Sequence, residues 1–169
     1  MDVLYIVIPA YNEAQNLPDV IRQWYPIVSS HNAEGKSKLI VLNDGSRDET
    51  RDVLEELKKD RPLLEAVDKE NEGHGPTLIR GYKQALAEHA DFIFQTDSDG
   101  QTNPNEFESF WEKRHDYDAV FGVYYHDRVT FIPISFAPRT QGKNSINMKK
   151  IFRIGRNALK DFRDFKHAM

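Results

Sequence analysis

The chain has 169 residues, of which 39% are hydrophobic and 11% aromatic, enough for one buried core and cramped for two independent domains. A formal net charge of −4 excludes the basic surface with which nonspecific nucleic-acid binders neutralise phosphates, so no nucleic-acid partner is expected and any bound phosphate must be met locally. The absence of cysteine excludes disulfides and thiolate metal sites, so a metal would be held by oxygen or histidine; the composition suits a reducing cytoplasm.

The opening Met1-Asp2-Val3-Leu4-Tyr5-Ile6-Val7-Ile8 lacks the positive start and long apolar stretch of a secretory signal, and reads as a buried strand. No run approaches the ~20 apolar residues of a membrane-spanning helix, so the chain is expected to be soluble or peripheral. Apolar runs at Leu4–Ile8, Leu39–Leu42, Leu63–Val67 and Phe92–Phe94, each too short for a helix and followed by polar or glycine-containing turns, predict four strands. Between them, helical spacing places Leu17, Val20, Ile21, Trp24, Ile27 and Val28 on one face, then Val53, Leu54 and Leu57, then Leu78, Tyr82, Ala85 and Leu86. Strands alternating with helices predict an α/β domain with a parallel sheet covered on both faces, whose ligands sit beyond the carboxyl ends of the strands.

Start signals support the helices. Ser46 and Glu49 have capping-box spacing, and Asn103-Pro104-Asn105-Glu106 combines an N-cap, a proline at the first helical position and a Glu at the third, ahead of a helix carrying Phe107, Phe110 and Trp111. Two further strands are predicted at Ala119–Tyr125 and Val129–Phe136, the second at a sheet edge or bulge because of Pro133. From Asn147 to Lys166, Ile151, Ile154, Ala158, Phe162 and Phe165 alternate with seven Lys and Arg residues, the pattern of a basic amphipathic helix.

The polar residues just after each strand carry the chemistry. Thr96-Asp97-Ser98-Asp99-Gly100-Gln101 follows the fourth strand and offers two carboxylates one residue apart, hard oxygen ligands suited to Mg²⁺ or Mn²⁺ and so to neutralising a diphosphate. Read alone, the same segment reads first as a solvated turn with incidental acids. It is not a calcium EF-hand loop, although Asp97, Asp99, Gln101 and Glu108 fall at ligand positions: Thr102 stands where the sharp turn needs glycine, and a strand precedes it where a helix is required. The first strand runs into Ile8-Pro9-Ala10-Tyr11-Asn12-Glu13, where the proline is expected to stop the ladder and Tyr11 and Glu13 to face a nucleoside; alone, Tyr11 also reads as packing and Glu13 as a complement to a helix dipole. After the second strand, Asp44 offers acceptors to a nucleobase or closes an Asx-turn.

Taken together, Ile8-Pro9-Ala10-Tyr11-Asn12-Glu13, Leu42-Asn43-Asp44-Gly45-Ser46-Arg47-Asp48-Glu49-Thr50, Asn71-Glu72-Gly73-His74-Gly75 and Asp97-Ser98-Asp99-Gly100-Gln101 resemble, in order and spacing over the first 125 residues, the inverting family-two glycosyltransferases with the GT-A fold. The resemblance implies a Rossmann-like, mostly parallel sheet with helices on both faces, spanning 1–146, and a metal-dependent enzyme that uses a nucleotide-diphosphate sugar. It implies a donor site of Pro9, Ala10, Tyr11, Glu13, Leu42 (through nearby backbone), Asp44, Asp97 and Ser98, with Asp99 and Gln101 facing Mg²⁺ or Mn²⁺. Gly73-His74-Gly75 resembles the family's glycine-containing loop before the third helix, with His74 a loop residue and not a catalyst. Arg139 and Lys143 look like the basic positions that meet a donor diphosphate or acceptor phosphate; alone they read as surface charge.

Family members carry a substantial acceptor-binding segment where this sequence passes from Tyr125 to Pro133 in a few residues, so a segment is expected to be missing at His126-Asp127-Arg128, and no residue can be assigned as catalytic base. The overall pattern resembles the polyprenyl-phosphate branch, whose lipid-phosphate acceptor is already ionised and needs no base. The basic helix over 147–169 would suit peripheral contact with the cytoplasmic face of a membrane, or simply pack on the domain with a solvated outer face. A non-catalytic nucleotide-sugar-binding module is the alternative. A nicotinamide-dependent oxidoreductase is disfavoured because the first strand lacks the glycine-rich turn of a dinucleotide site.

Overall fold

The computed structural model describes residues 2–122. Four strands, β1 (Leu4–Ala10), β2 (Lys38–Asp44), β3 (Leu64–Lys69) and β4 (Phe92–Gln95), form one sheet in the order β3-β2-β1-β4, every pair parallel. They are joined by α1 (Leu17–Ser30), α2 (Thr50–Lys58) and α3 (His74–Ala87), and a 3-10 turn at Pro104–Glu106 leads from β4 into α4 (Phe107–Trp111). All of β1 and nearly all of β2 are buried, which is why they read as uninterrupted apolar runs and not as an alternation.

On one face of the sheet Leu4, Ile6, Ile8, Leu39 and Val41 pack with Leu17, Val20, Ile21, Trp24 and Val28 of α1, Leu54 of α2 and Phe107 of α4. On the other, Tyr5, Val7, Ile40 and Leu42 meet Ala85, Leu78 and Tyr82 of α3. The chain steps outward from β1 to β2 to β3, then crosses back to the far side of β1 for β4. A right-handed crossover run in the reverse direction puts its helix on the opposite face, so α3 covers the face that α1 and α2 leave open. Gly81 lets α3 lie close: a Cβ there would fall 2.6 Å from Val7 Cγ1 and 2.9 Å from Leu42 Cδ1.

Several expectations are corrected. β3 runs on to Lys69 because Asp68 and Lys69 pair with Asn43 and Asp44 of β2. Pro9 stops only half of the ladder: β1 continues against β2 through Ala10↔Asn43, while on the β4 side pairing ends at Val7↔Gln95. In a parallel sheet a residue's N–H and C=O point to the same neighbour, and Val7 C=O accepts from Thr96 N–H, so the N–H that Pro9 lacks is the next one toward β4. The Ser46–Glu49 capping box does not form; α2 starts at Thr50, whose N–H is taken by Asp48 Oδ1 at 3.1 Å. Asn103 does cap, its Oδ1 accepting from Asn105 N–H at 3.1 Å with Pro104 following. His74 and Gly75 are the first residues of α3, not a loop before it. Residues 119–122 take no strand beyond one bridged residue. The Val129–Phe136 strand, Arg139, Lys143, the His126-Asp127-Arg128 junction and the 147–169 helix lie outside the described residues.

Candidate functional site

In the order β3-β2-β1-β4 the direction of travel reverses between β1 and β4, so the crevice beyond their carboxyl ends is the topological switch point, where parallel α/β sheets hold ligands. Pro9 ends the pairing there and lets the two chains part. The loops leaving β1 (from Tyr11) and β4 (from Thr96) therefore flank one opening, with β2 and β3 ending beside it at Asp44 and Lys69.

The turn after β4 is fixed from within. Thr96 and Thr102 hydroxyls bond to each other at its base, Asp99 Oδ1 accepts from Gln101 N–H at 3.1 Å, and Gln95 Nε2 donates to Asp97 Oδ1 at 3.1 Å. Thr96 and Ser98 are buried, whereas Asp97 and Asp99 are half-buried. Burial pushes the Asp97 carboxyl above the usual carboxylate range; the His74 imidazole opposes that shift and the Asp99 charge adds to it. Asp97 in turn reinforces the burial that raises the Tyr82 phenol of α3. The start of α3, the acid pair and Tyr82 thus share one neighbourhood, and His74 belongs to it.

Residues present fit a cation of one kind. Among the described residues no cluster of three or more His, Asp or Glu could cage a metal. Two carboxylates and an amide oxygen instead suit Mg²⁺ or Mn²⁺, which keep waters and take the rest of their shell from ligand phosphates.

The β1 exit is held equally firmly. Tyr11 is 37% exposed and stands at the rim, whereas Pro9 and Ala10 are buried strand residues. Glu13 is buried, and its carboxylate accepts from Asn16 Nδ2. The Leu42 side chain has no exposed surface: it pairs with Pro9 and Val67 and packs under α3, so only backbone near it could take part in a site.

Asp44 is the hub of the β2 exit. Its side chain is 5% exposed and that of Lys69 2%, and the two form an ion pair. Asp44 Oδ1 also accepts from Glu72 N–H at 3.0 Å and Oδ2 from Gly73 N–H at 2.9 Å, while its backbone C=O accepts from Asn71 Nδ2 at 2.7 Å. Burial alone would raise this carboxyl, but the Lys69 ammonium and those amides outweigh it and hold it below the usual range. Lys69 also donates to Glu70 C=O at 2.6 Å and pairs with Glu72 at 3.0 Å. Gly45 (φ 63°) is required beneath this turn, since a Cβ would fall 2.7 Å from Asn71 N. Sequence reasoning missed Lys69, because a lysine ending a strand looks like a solvated charge; its signal is a pairing 25 residues away.

A separate cavity of about 490 Å³ runs along the outer edge of β4, lined by Phe92, Phe94, Phe110, Trp111 and Tyr117, and includes none of these groups.

Fold and crevice together define a doubly wound type of α/β domain, with an acid pair at the switch point. Its family follows from the sequence: the profile described as Glycosyl transferase family 2 matches residues 5–168, and the chain belongs to that family. It is 29% identical over 103 residues to an undecaprenyl-phosphate 4-deoxy-4-formamido-L-arabinose transferase of Pseudomonas syringae, spanning 60% of this chain and 29% of that protein. It is likewise 29% identical over 109 residues to a dolichyl-phosphate beta-glucosyltransferase of Trichomonas vaginalis, spanning 62% of this chain and 33% of that one. The chain thus covers about a third or less of these relatives. The fold is GT-A: a mannosyltransferase from Pyrobaculum calidifontis, solved in complex with GDP-Man and Mn²⁺, superposes with a TM-score of 0.57 at 18% identity over 72% of this chain and 35% of that one.

Proposed function

We propose that the chain binds a nucleotide-diphosphate sugar in the crevice between β1 and β4 and serves an inverting, metal-dependent transfer of the sugar to a polyprenyl phosphate. What supports this reading is that the acid pair Asp97 and Asp99 follows β4 and Tyr11 follows β1 at the switch point, with the Asp97 carboxyl within electrostatic reach of His74 at the start of α3. Tyr11 would cover the nucleoside from the rim, with Pro9, Ala10 and Glu13 shaping the floor beneath it. Asp97 and Ser98 would lie along the ribose and diphosphate, and Asp99 with Gln101 would hold Mg²⁺ or Mn²⁺. When bound, that cation supplies charge neutralisation of the leaving nucleoside diphosphate.

The acceptor class rests on two supports. The relatives named above act, by their names, on undecaprenyl and dolichyl phosphates. A phosphate monoester is ionised at neutral pH, so its oxygen attacks the anomeric carbon without a general base, and none is assigned among Asp2 to Gly122. The new bond joins that oxygen to the anomeric carbon with inversion, and the bond to the donor phosphate breaks with its electron pair leaving on the nucleoside diphosphate. Arg139 and Lys143 are proposed for the phosphates and residues 147–169 for the membrane surface, with the cytoplasmic face proposed as the side on which the reaction runs. No helix among the described residues is long and apolar enough to cross a membrane.

The test is transfer of radiolabelled sugar from UDP- and GDP-sugars, with Mn²⁺, into the organic phase of a reaction containing a short-chain polyprenyl phosphate. Label in that phase, lost without metal, supports the reading. Nucleotide-sugar binding with no transfer to any polyprenyl phosphate would refute the acceptor.

A further inference from the structure

Three consecutive backbone N–H groups at the exit of β1 are satisfied not locally but by side chains from the loop after β2 and the first residue of α2. Asn12 N–H donates to Ser46 Oγ at 2.9 Å, Glu13 N–H to Thr50 Oγ1 at 2.9 Å, and Ala14 N–H to Asp48 Oδ2 at 3.2 Å. One bond runs the other way, Arg47 N–H donating to Asn12 Oδ1 at 2.8 Å. The accepting side chains are themselves tied down: the Asp48 carboxylate takes both the hydroxyl and the N–H of Thr50, and Ser46 N–H is taken by Asn43 Oδ1 at 3.2 Å. Thr50 has no exposed surface.

The segment so held includes Asn12 at φ 57°, in the left-handed region that asparagine enters more readily than other non-glycine residues. Helix formation does not explain the bonds, because α1 begins five residues later at Leu17. What they fix is the backbone direct from Asn12 to Ala14, and hence the position of Tyr11, the exposed aromatic just before it.

We propose that Ser46 to Thr50 form a latch that holds Tyr11 in place for a nucleoside, with Asp48 and Thr50 as positioning residues that act through the β1 exit and touch no ligand. This rests on the donor reading given above. The latch makes a specific demand on binding: with it open, the Tyr11 loop must be ordered at the expense of ligand affinity, but only for ligands that carry a nucleoside. A ligand held by the acid pair alone is indifferent to it.

The test is isothermal titration of UDP, GDP and inorganic pyrophosphate, each with Mn²⁺, into the full chain and its Thr50→Val and Thr50→Ser variants, with amide hydrogen exchange read across residues 11–16. Valine keeps the shape and removes the acceptor of Glu13 N–H; serine keeps the acceptor. Thr50→Val is expected to weaken the preferred nucleoside diphosphate by about tenfold, the effect of leaving one buried donor unmade, and to speed exchange at residues 12–14. Pyrophosphate affinity should stay within about twofold of wild type, and Thr50→Ser should restore both readouts. Nucleotide affinity unchanged in Thr50→Val, an equal loss for pyrophosphate, or unchanged exchange would each overturn the latch while leaving the donor reading standing. A wild-type chain that bound neither nucleotide would overturn the donor reading and the latch with it.

Discussion

Replacing Lys69 with methionine tests the most buried ion pair of the described chain. The side chains of Lys69 and Asp44 are 2% and 5% exposed, so methionine fills the volume but leaves the carboxylate in place without its counter-charge. Removing one partner of a buried pair destabilises by about 3–5 kcal/mol. Asp44 keeps the Glu72 and Gly73 amides, which puts the expectation at the lower end, about 3 kcal/mol. The effect depends on pH with a definite sign. Asp44 is depressed in the folded chain, so its contribution is complete above the ordinary carboxylate range near pH ~4 and fades as pH falls through the folded value. The Lys69→Met deficit should therefore be largest at pH 7 and shrink as the pH is lowered below ~4, where a protonated Asp44 needs no counter-ion. Urea unfolding followed by the fluorescence of buried Trp24 gives both numbers. A deficit under about 1 kcal/mol at pH 7, or one that persists undiminished well below pH ~4, would refute the reasoning.

Gly81→Ala should destabilise by about 1–3 kcal/mol in the same assay, because its Cβ meets both Val7 and Leu42 and α3 must lift from the sheet; a neutral result would mean that the helix yields freely. Tyr5, whose hydroxyl donates to Glu88 Oε2 at 2.9 Å, has its phenol pushed up to about 12 by burial and by that bond. Stability from this group is complete below the ordinary phenol value of ~10 and falls as pH rises toward the folded one, so Tyr5→Phe should flatten the alkaline limb of a stability profile between pH ~10 and ~12. An unchanged alkaline limb would count against it.

Much of the fold can be read along the chain because its central strands are buried on both faces. Ile6-Val7-Ile8 and Leu39-Ile40-Val41-Leu42 have no polar alternation to confuse, and Leu17, Val20, Ile21, Trp24 and Val28 meet the sheet as their spacing predicts. Errors arose where a distant partner decides the local outcome. Lys69 completes β3 and enters the core because Asp44 draws it there, not because of its neighbours in sequence. Ser46 does not cap α2, which starts only at Thr50, and its hydroxyl instead accepts from Asn12 N–H, 34 residues away. Pro9 reads as a full stop for β1, yet its missing N–H matters only toward β4. The strand-end acids at Asp97 and Asp99 were legible as a pair, since turn position and chemistry are local. Their company with His74 and Tyr82 was not, because only the crossover through α3 brings those residues alongside.

The central claim is that Asp99, with Asp97 beside it in the turn after β4, sets a divalent cation against the diphosphate of a sugar donor. Titration of UDP- and GDP-sugars into the wild-type chain and an Asp99→Asn variant, with and without Mn²⁺, tests it most directly. One nucleotide class should bind the wild type at least about tenfold more tightly with Mn²⁺ than without it, and the variant should lose that difference. Binding that ignores the metal, or a variant that keeps the full Mn²⁺ dependence, would contradict the claim.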